Sequence, residues 1–184
     1  MKERLEDAKR RMDGAKQSLS HEFGSLRTGR ASAALLDRIA VDAYGVKTPL
    51  AQMAKIGTPD ARQITIQPYD KSMMKGIEKA IMESDLGLTP SNDGQVIRLS
   101  IPQPTEERRK ELVKLAAKMT EDARVAVRNV RRDVLNEGKR DEKSGDLSQN
   151  DLGRLQDEVQ KLTDNEIKQL EELLHRKEAE ILEV

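Results

Sequence analysis

The segment Ala123-Arg-Val-Ala-Val-Arg-Asn-Val-Arg-Arg-Asp133 packs four arginines and no lysine into nine positions. On a helical wheel Arg124, Arg128, Arg131 and Arg132 fall on one arc of roughly 100°, which Lys110 and Lys114 extend. Arg124–Arg128 and Arg128–Arg132 are like-charge i,i+4 pairs that cost a helix a few tenths of a kcal/mol each. Forked guanidinium donors match the oxygens of phosphate. The pattern therefore has two readings: a face for an external anion such as RNA phosphate, or a solvated face paired with acids of a neighbouring helix.

Other chemistry is hard to build from these residues. The chain has no Cys, which removes disulfides, thiolate catalysis and cysteine zinc sites. Phosphate-loop, dinucleotide, nucleophile-elbow and HExxH motifs are all missing. His21 falls opposite the apolar stripe of its helix and reads as a solvated histidine. Glu172-Leu-Leu-His175 has the E-x-x-H spacing of di-iron bundles, but that centre needs a second such motif and two further glutamates. The expectation is a binding protein rather than an enzyme, with no catalytic residue, no metal and no cofactor.

Charge must be read by segment. The 33 Lys+Arg and 33 Asp+Glu cancel over 184 residues, yet residues 1–30, 31–104, 105–147 and 148–184 carry +3, 0, +2 and −5. Balanced charge excludes a uniformly basic RNA binder but not one that adheres by a single side. Phe23, Tyr44 and Tyr69 are the only aromatics, too few for platforms that stack single-stranded bases. Contact with RNA would then be to phosphate, sugar and helix shape. There is no long apolar run and the N-terminus is charged, so the expected setting is cytoplasmic, with no membrane. Apolar steps nearer 3.6 than 3.5 favour an intramolecular bundle over a supercoiled dimer, so the expected state is a monomer.

Proline partitions the elements that must position these groups. All six prolines lie between residues 49 and 104, and helix interiors reject proline. The flanking regions are free to form long helices. Leu5, Ala8, Met12, Ala15, Leu19, Phe23 and Leu26 define one helix face. Leu112, Leu115, Met119, Ala123, Ala126, Val130 and Val134 define a second, capped by Thr105 and stopped at Gly138. Leu152, Leu155, Val159, Leu162, Ile167, Leu170, Leu174 and Ile181 define a third, capped by Ser148. Three stripes facing inward predict an antiparallel three-helix bundle.

The middle alternates with period two at Ile39/Val41/Ala43, Ile64/Ile66 and Ile97/Leu99/Ile101, with an Asn92-Asp93-Gly94 turn. Asp70 caps a short helix with Met74, Ile77, Ile81 and Met82 inward. The expected class is α+β: a discontinuous bundle of residues 1–29 and 105–184 with an inserted α/β domain of residues 30–104. The two crossings, Thr28-Gly29-Arg30 and Pro102-Gln103-Pro104 with Thr105, form a hinge of limited freedom.

Five spaced motifs resemble the bacterial ribosome recycling factor family: Arg27-Thr-Gly-Arg-Ala-Ser32, Glu78-Lys-Ala-Ile-Met-Glu-Ser-Asp-Leu-Gly-Leu-Thr-Pro90, Thr105-Glu-Glu-Arg-Arg-Lys110, the arginine segment above, and Val159-Gln-Lys-Leu-Thr-Asp164. The resemblance covers essentially the whole chain. It implies an L-shaped two-domain protein and a non-enzymatic translation factor, which splits post-termination ribosomes with elongation factor G and its GTP hydrolysis. It also implies that the bundle docks on large-subunit ribosomal RNA and the smaller domain meets elongation factor G. By motif it assigns RNA contact to Arg27, Arg30, Arg128, Arg131 and Arg132, and the wheel adds Arg124. Arg108 falls near the core wedge, which suggests a role local to the hinge. A different class remains open beside it: a helical adaptor or chaperone cofactor whose arginine face meets an acidic protein.

Overall fold

A computed structural model of the chain describes residues 1–26 and 28–183. They divide into two compact units, one formed by residues up to 26 together with Glu107–Glu183, the other by Thr28–Glu106.

The first unit holds three helices, α1 (Lys2–Ser25), α4 (Glu106–Ser144) and α5 (Gln149–Leu182). Thirty-nine residues make α4 about 58 Å long. Arg4 of α1 meets Glu137 and Asp141 of α4 while Arg11 meets Asp133, so these helices run antiparallel. The α4–α5 turn is closed by Ser148, whose hydroxyl accepts from the Asp151 N–H at 3.1 Å as the cap the sequence implied. One core joins all three, with Ala8, Met12, Leu19, Leu112, Val127, Val134, Leu155, Val159, Leu170 and Ile181 buried.

Three expectations about α4 change. Gly138 does not stop the helix; it lies buried inside it, and a Cβ there would stand 2.7 Å from Leu155 Cδ2 and 3.2 Å from Leu152 Cδ1. The glycine lets α5 come close. The buried stripe is Leu112, Ala116, Thr120, Ala123, Val127, Val130, Val134 and Gly138, whereas Leu115 is 38% exposed and Met119 and Ala126 sit at the margin. Small residues face the partners where the helices approach, and Thr120 tolerates burial because its hydroxyl donates to the Ala116 carbonyl at 2.9 Å. Arg108 points outward to Glu111 rather than to the core; Arg109 is the partly buried arginine, with its Nε lacking a hydrogen bond among the described residues.

The second unit contains β1 (Ala40–Ala43), β2 (Val46–Pro49), the single-turn α2 (Leu50–Met53), β3 (Ala54–Asp60), β4 (Gln63–Pro68), α3 (Met74–Met82), β5 (Pro90–Asn92) and β6 (Ile97–Ser100). β1 and β2 form a hairpin, and the others form an antiparallel sheet in the order β3-β4-β6-β5. Alternation in β4 and β6 puts Ile64, Ile66, Ile97 and Leu99 into one core with Ile77 and Ile81 of α3. Asp93 accepts from the N–H groups of Gln95 and Val96, closing the turn expected at residues 92–94. Asp70 accepts from Ser72 N–H and starts a 3-10 turn that leads into α3. Met82 is the exception: at the last position of α3 it is 66% exposed, because Ile81 already fills the inward place in that turn. Strands β2, β3 and β5 had no alternating apolar signal, since they lie at the hairpin or the sheet edges.

Candidate nucleic-acid interface

The arginine ridge stands on α4, and α4 and its neighbouring helices decide which arginines meet an acid. The acids that follow the ridge in sequence, Asp133, Glu137 and Asp141, pair on the side of α4 that faces α1. There Arg11 Nη2 donates to Asp133 at 2.9 Å and Arg4 Nη2 to Asp141 at 2.9 Å, with Glu137 also on Arg4. The hydrogen bond and charge of Arg4 hold the Asp141 carboxyl below the usual carboxylate range. Arg4 and Arg11 thereby occupy acids that would otherwise offset the ridge.

Along the ridge the arginines differ. Arg124 is partly buried and donates to Glu121 at 2.8 Å, with Glu171 of α5 3.8 Å away. Arg128 reaches the second oxygen of the same Glu121 at 3.2 Å. One carboxylate thus bridges two guanidiniums, and the Arg124 hydrogen bond foremost pulls the Glu121 carboxyl below its ordinary range. The expected mutual repulsion between Arg124 and Arg128 is relieved by this shared acid. Arg131 instead donates to the neutral amide oxygen of Gln160 on α5 at 3.0 Å. Arg132 is exposed and has no hydrogen-bond or ion-pair partner among the described residues. Among the described residues Arg131 and Arg132 therefore meet no acid, whereas Glu121 offsets Arg124 and Arg128. Arg27 lies outside the described residues. Arg30 belongs to the second unit, where it is exposed and carries contacts of its own.

Sequence reasoning missed Glu121 and Gln160. The signal for Glu121 was its i−3 spacing to Arg124; Gln160 sat inside a quoted motif but could be linked to Arg131 only once α5 had folded back along α4. On α5 itself Lys161 meets Glu158 at 3.2 Å.

The crossing residues gather at one end of the second unit. Ala31 N–H donates to the Ala61 carbonyl and Ile101 N–H to the Arg62 carbonyl, both at 2.7 Å, so the two passages are tied to the same β3–β4 turn. Gly29 adopts φ +80 against the Pro104 ring. Thr28 is buried, and Pro102 and Thr105 are exposed. Among the described residues no group of three or more His, Asp or Glu is arranged to hold a metal ion, and no helix is long and apolar enough to cross a membrane.

Comparison with known proteins agrees with this architecture. A family profile described as "Ribosome recycling factor" matches residues 19–182. The ribosome-recycling factor of Listeria welshimeri is 56% identical over 183 residues, covering 100% of this chain and 99% of its own. That of Rubrobacter xylanophilus is 53% identical over 180 residues, covering 98% and 97%. A solution structure of ribosome recycling factor superposes with a TM-score of 0.73 at 42% identity, covering 100% of this chain and 97% of that one. A further structure, of the T. thermophilus ribosome recycling factor and E. coli elongation factor G bound to the E. coli post-termination complex, gives 0.63 at 42% identity and 98% coverage of both chains.

Proposed function

The chain belongs to the ribosome recycling factor family, and from that premise we propose that it separates the subunits of post-termination ribosomes by docking the α4 arginine ridge on large-subunit ribosomal RNA. The observation that carries the reading is the one-sided ridge: α1 arginines occupy the acids that follow it on α4, and among the described residues Arg131 and Arg132 meet no acid. With few aromatics, the ridge reads phosphate and helix shape. Arg27 and Arg30 extend the contact by motif.

The α/β unit engages elongation factor G; a structural relative and elongation factor G are both bound to one post-termination complex. Hydrolysis of GTP is the partner's chemistry; this chain supplies no catalytic group and works as a binding lever. Thr28, Gly29, Arg30, Pro102, Pro104 and Thr105 form the hinge through which the second unit transmits force.

Light scattering of post-termination ribosomes with elongation factor G and GTP tests the reading. Adding the chain should split the subunits, and Arg131→Gly should weaken ribosome binding and flatten its salt dependence by about 0.7–0.9 unit of slope for one lost phosphate contact. Absence of splitting overturns the function, and unchanged affinity and slope overturn the role of Arg131.

A further inference from the structure

Two side chains of the motif Val159-Gln-Lys-Leu-Thr-Asp164 form a chain of hydrogen bonds that ends on the ridge. Arg131 Nη1 donates to Gln160 Oε1 at 3.0 Å, and Gln160 Nε2 donates to Asp164 Oδ1 at 2.8 Å. We infer that Gln160 and Asp164 are positioning residues for Arg131, so that α5 as well as α4 builds the anion-binding face; the inference rests on the RNA reading of the ridge.

The chemistry of each group explains the order. A carboxylate can only accept, so Asp164 draws the amide N–H of Gln160 and turns its carbonyl oxygen toward Arg131. Gln160 and Asp164 are one helical turn apart on α5, the spacing at which such pairs meet. The amide then orients the guanidinium without cancelling its charge and takes one of its five N–H donors. Four remain for phosphate, enough for a bidentate contact.

Glu121 makes the contrast. It also holds ridge arginines, Arg124 and Arg128, but with a full negative charge that an incoming phosphate must displace. At Arg131 the negative charge stands one residue further back, on Asp164, and the intervening amide transmits direction only. Ordering a long, rotamer-rich side chain before binding removes part of the entropy that binding would otherwise cost.

The test measures binding of the full-length protein to large ribosomal subunits over a series of salt concentrations, with urea unfolding as the control for folding. Gln160→Ala should raise Kd about three- to tenfold, the cost of ordering one side chain, with an unchanged urea midpoint because Gln160 is exposed. Gln160→Glu should raise Kd by about tenfold or more and lower the salt slope by about 0.7–0.9, since a carboxylate would now offset Arg131. A merely structural role for Gln160 would move neither the slope nor the difference between these variants. Combining Gln160→Ala with Arg131→Ala should be no worse than Arg131→Ala alone.

If Arg131→Ala binds as tightly as the parent, the RNA reading of that residue fails and this inference with it. If Arg131→Ala weakens binding while Gln160→Ala does not, or if the two losses simply add, the inference alone is overturned.

Discussion

Replacing Gly29 by alanine isolates how tightly the two crossings are fitted together. Gly29 stands at φ +80, where a residue with a Cβ loses about 1–2 kcal/mol. An alanine Cβ would also lie 2.9 Å from Pro104 Cδ and 3.0 Å from its Cγ. Those atoms belong to a closed ring that cannot rotate aside, so a further cost of about 1–3 kcal/mol follows, as for other overpacked sites. The expected total is about 2–5 kcal/mol. Gly45 supplies an internal control: its φ is +85, but a Cβ there meets nothing within 4 Å. Gly45→Ala should cost only the backbone part, about 1–2 kcal/mol. Urea unfolding of Gly29→Ala, Gly45→Ala, Pro104→Ala and the Gly29→Ala/Pro104→Ala pair reads the difference. The pair should recover most of the excess, giving a coupling of about 1–3 kcal/mol in the cycle. Equal losses at Gly29 and Gly45, with no recovery in the pair, would refute the packing of the two crossings against each other.

Leu155 is fully buried against Gly138, so Leu155→Ala should cost about 2–5 kcal/mol of bundle stability. Loss of helical circular dichroism on heating should come roughly 4–20 °C earlier, and a shift of about 1 °C or less would contradict the close α4–α5 approach. Acid should weaken the bundle through Asp141. Its folded carboxyl titrates below the usual range because of Arg4, so its contribution is present above the unfolded value of about 4 and is lost as pH falls through the depressed folded value. Nuclear magnetic resonance titration should place Asp141 back in the ordinary range in Arg4→Met; the same titration in both proteins would remove Arg4 as the cause.

Much of the fold was legible because the signals were local. Steps of three and four along α1 put every expected position into the core or its margin, and six prolines confined the sheet to residues 49–104 and their neighbourhood. Ser148 and Asp70 capped as their types require, because a cap joins a side chain to backbone two or three residues away. The errors have one origin. Hydrophobicity points Leu115 inward, propensity makes Gly138 a stop, and residue type places Met82 in the core. In each case the deciding fact was which neighbour stood opposite, and how closely.

The arginine ridge divides the same way. Its existence, helical placement and one-sidedness follow from the spacing of Arg124, Arg128, Arg131 and Arg132, because residues three and four apart share a helix face whatever the tertiary fold. Which partners from other helices meet these guanidiniums does not follow from spacing. Glu121 lies on α4 itself, but Arg4 and Arg11 come from α1 and Gln160 from α5, 29 to 137 positions away along the chain. Electrostatic pairing decays over a few ångströms of space rather than over a number of residues. The sequence therefore determined where the positive side chains stand and set Glu121 beside them, and only helix packing decided that Glu171 and Gln160 meet them.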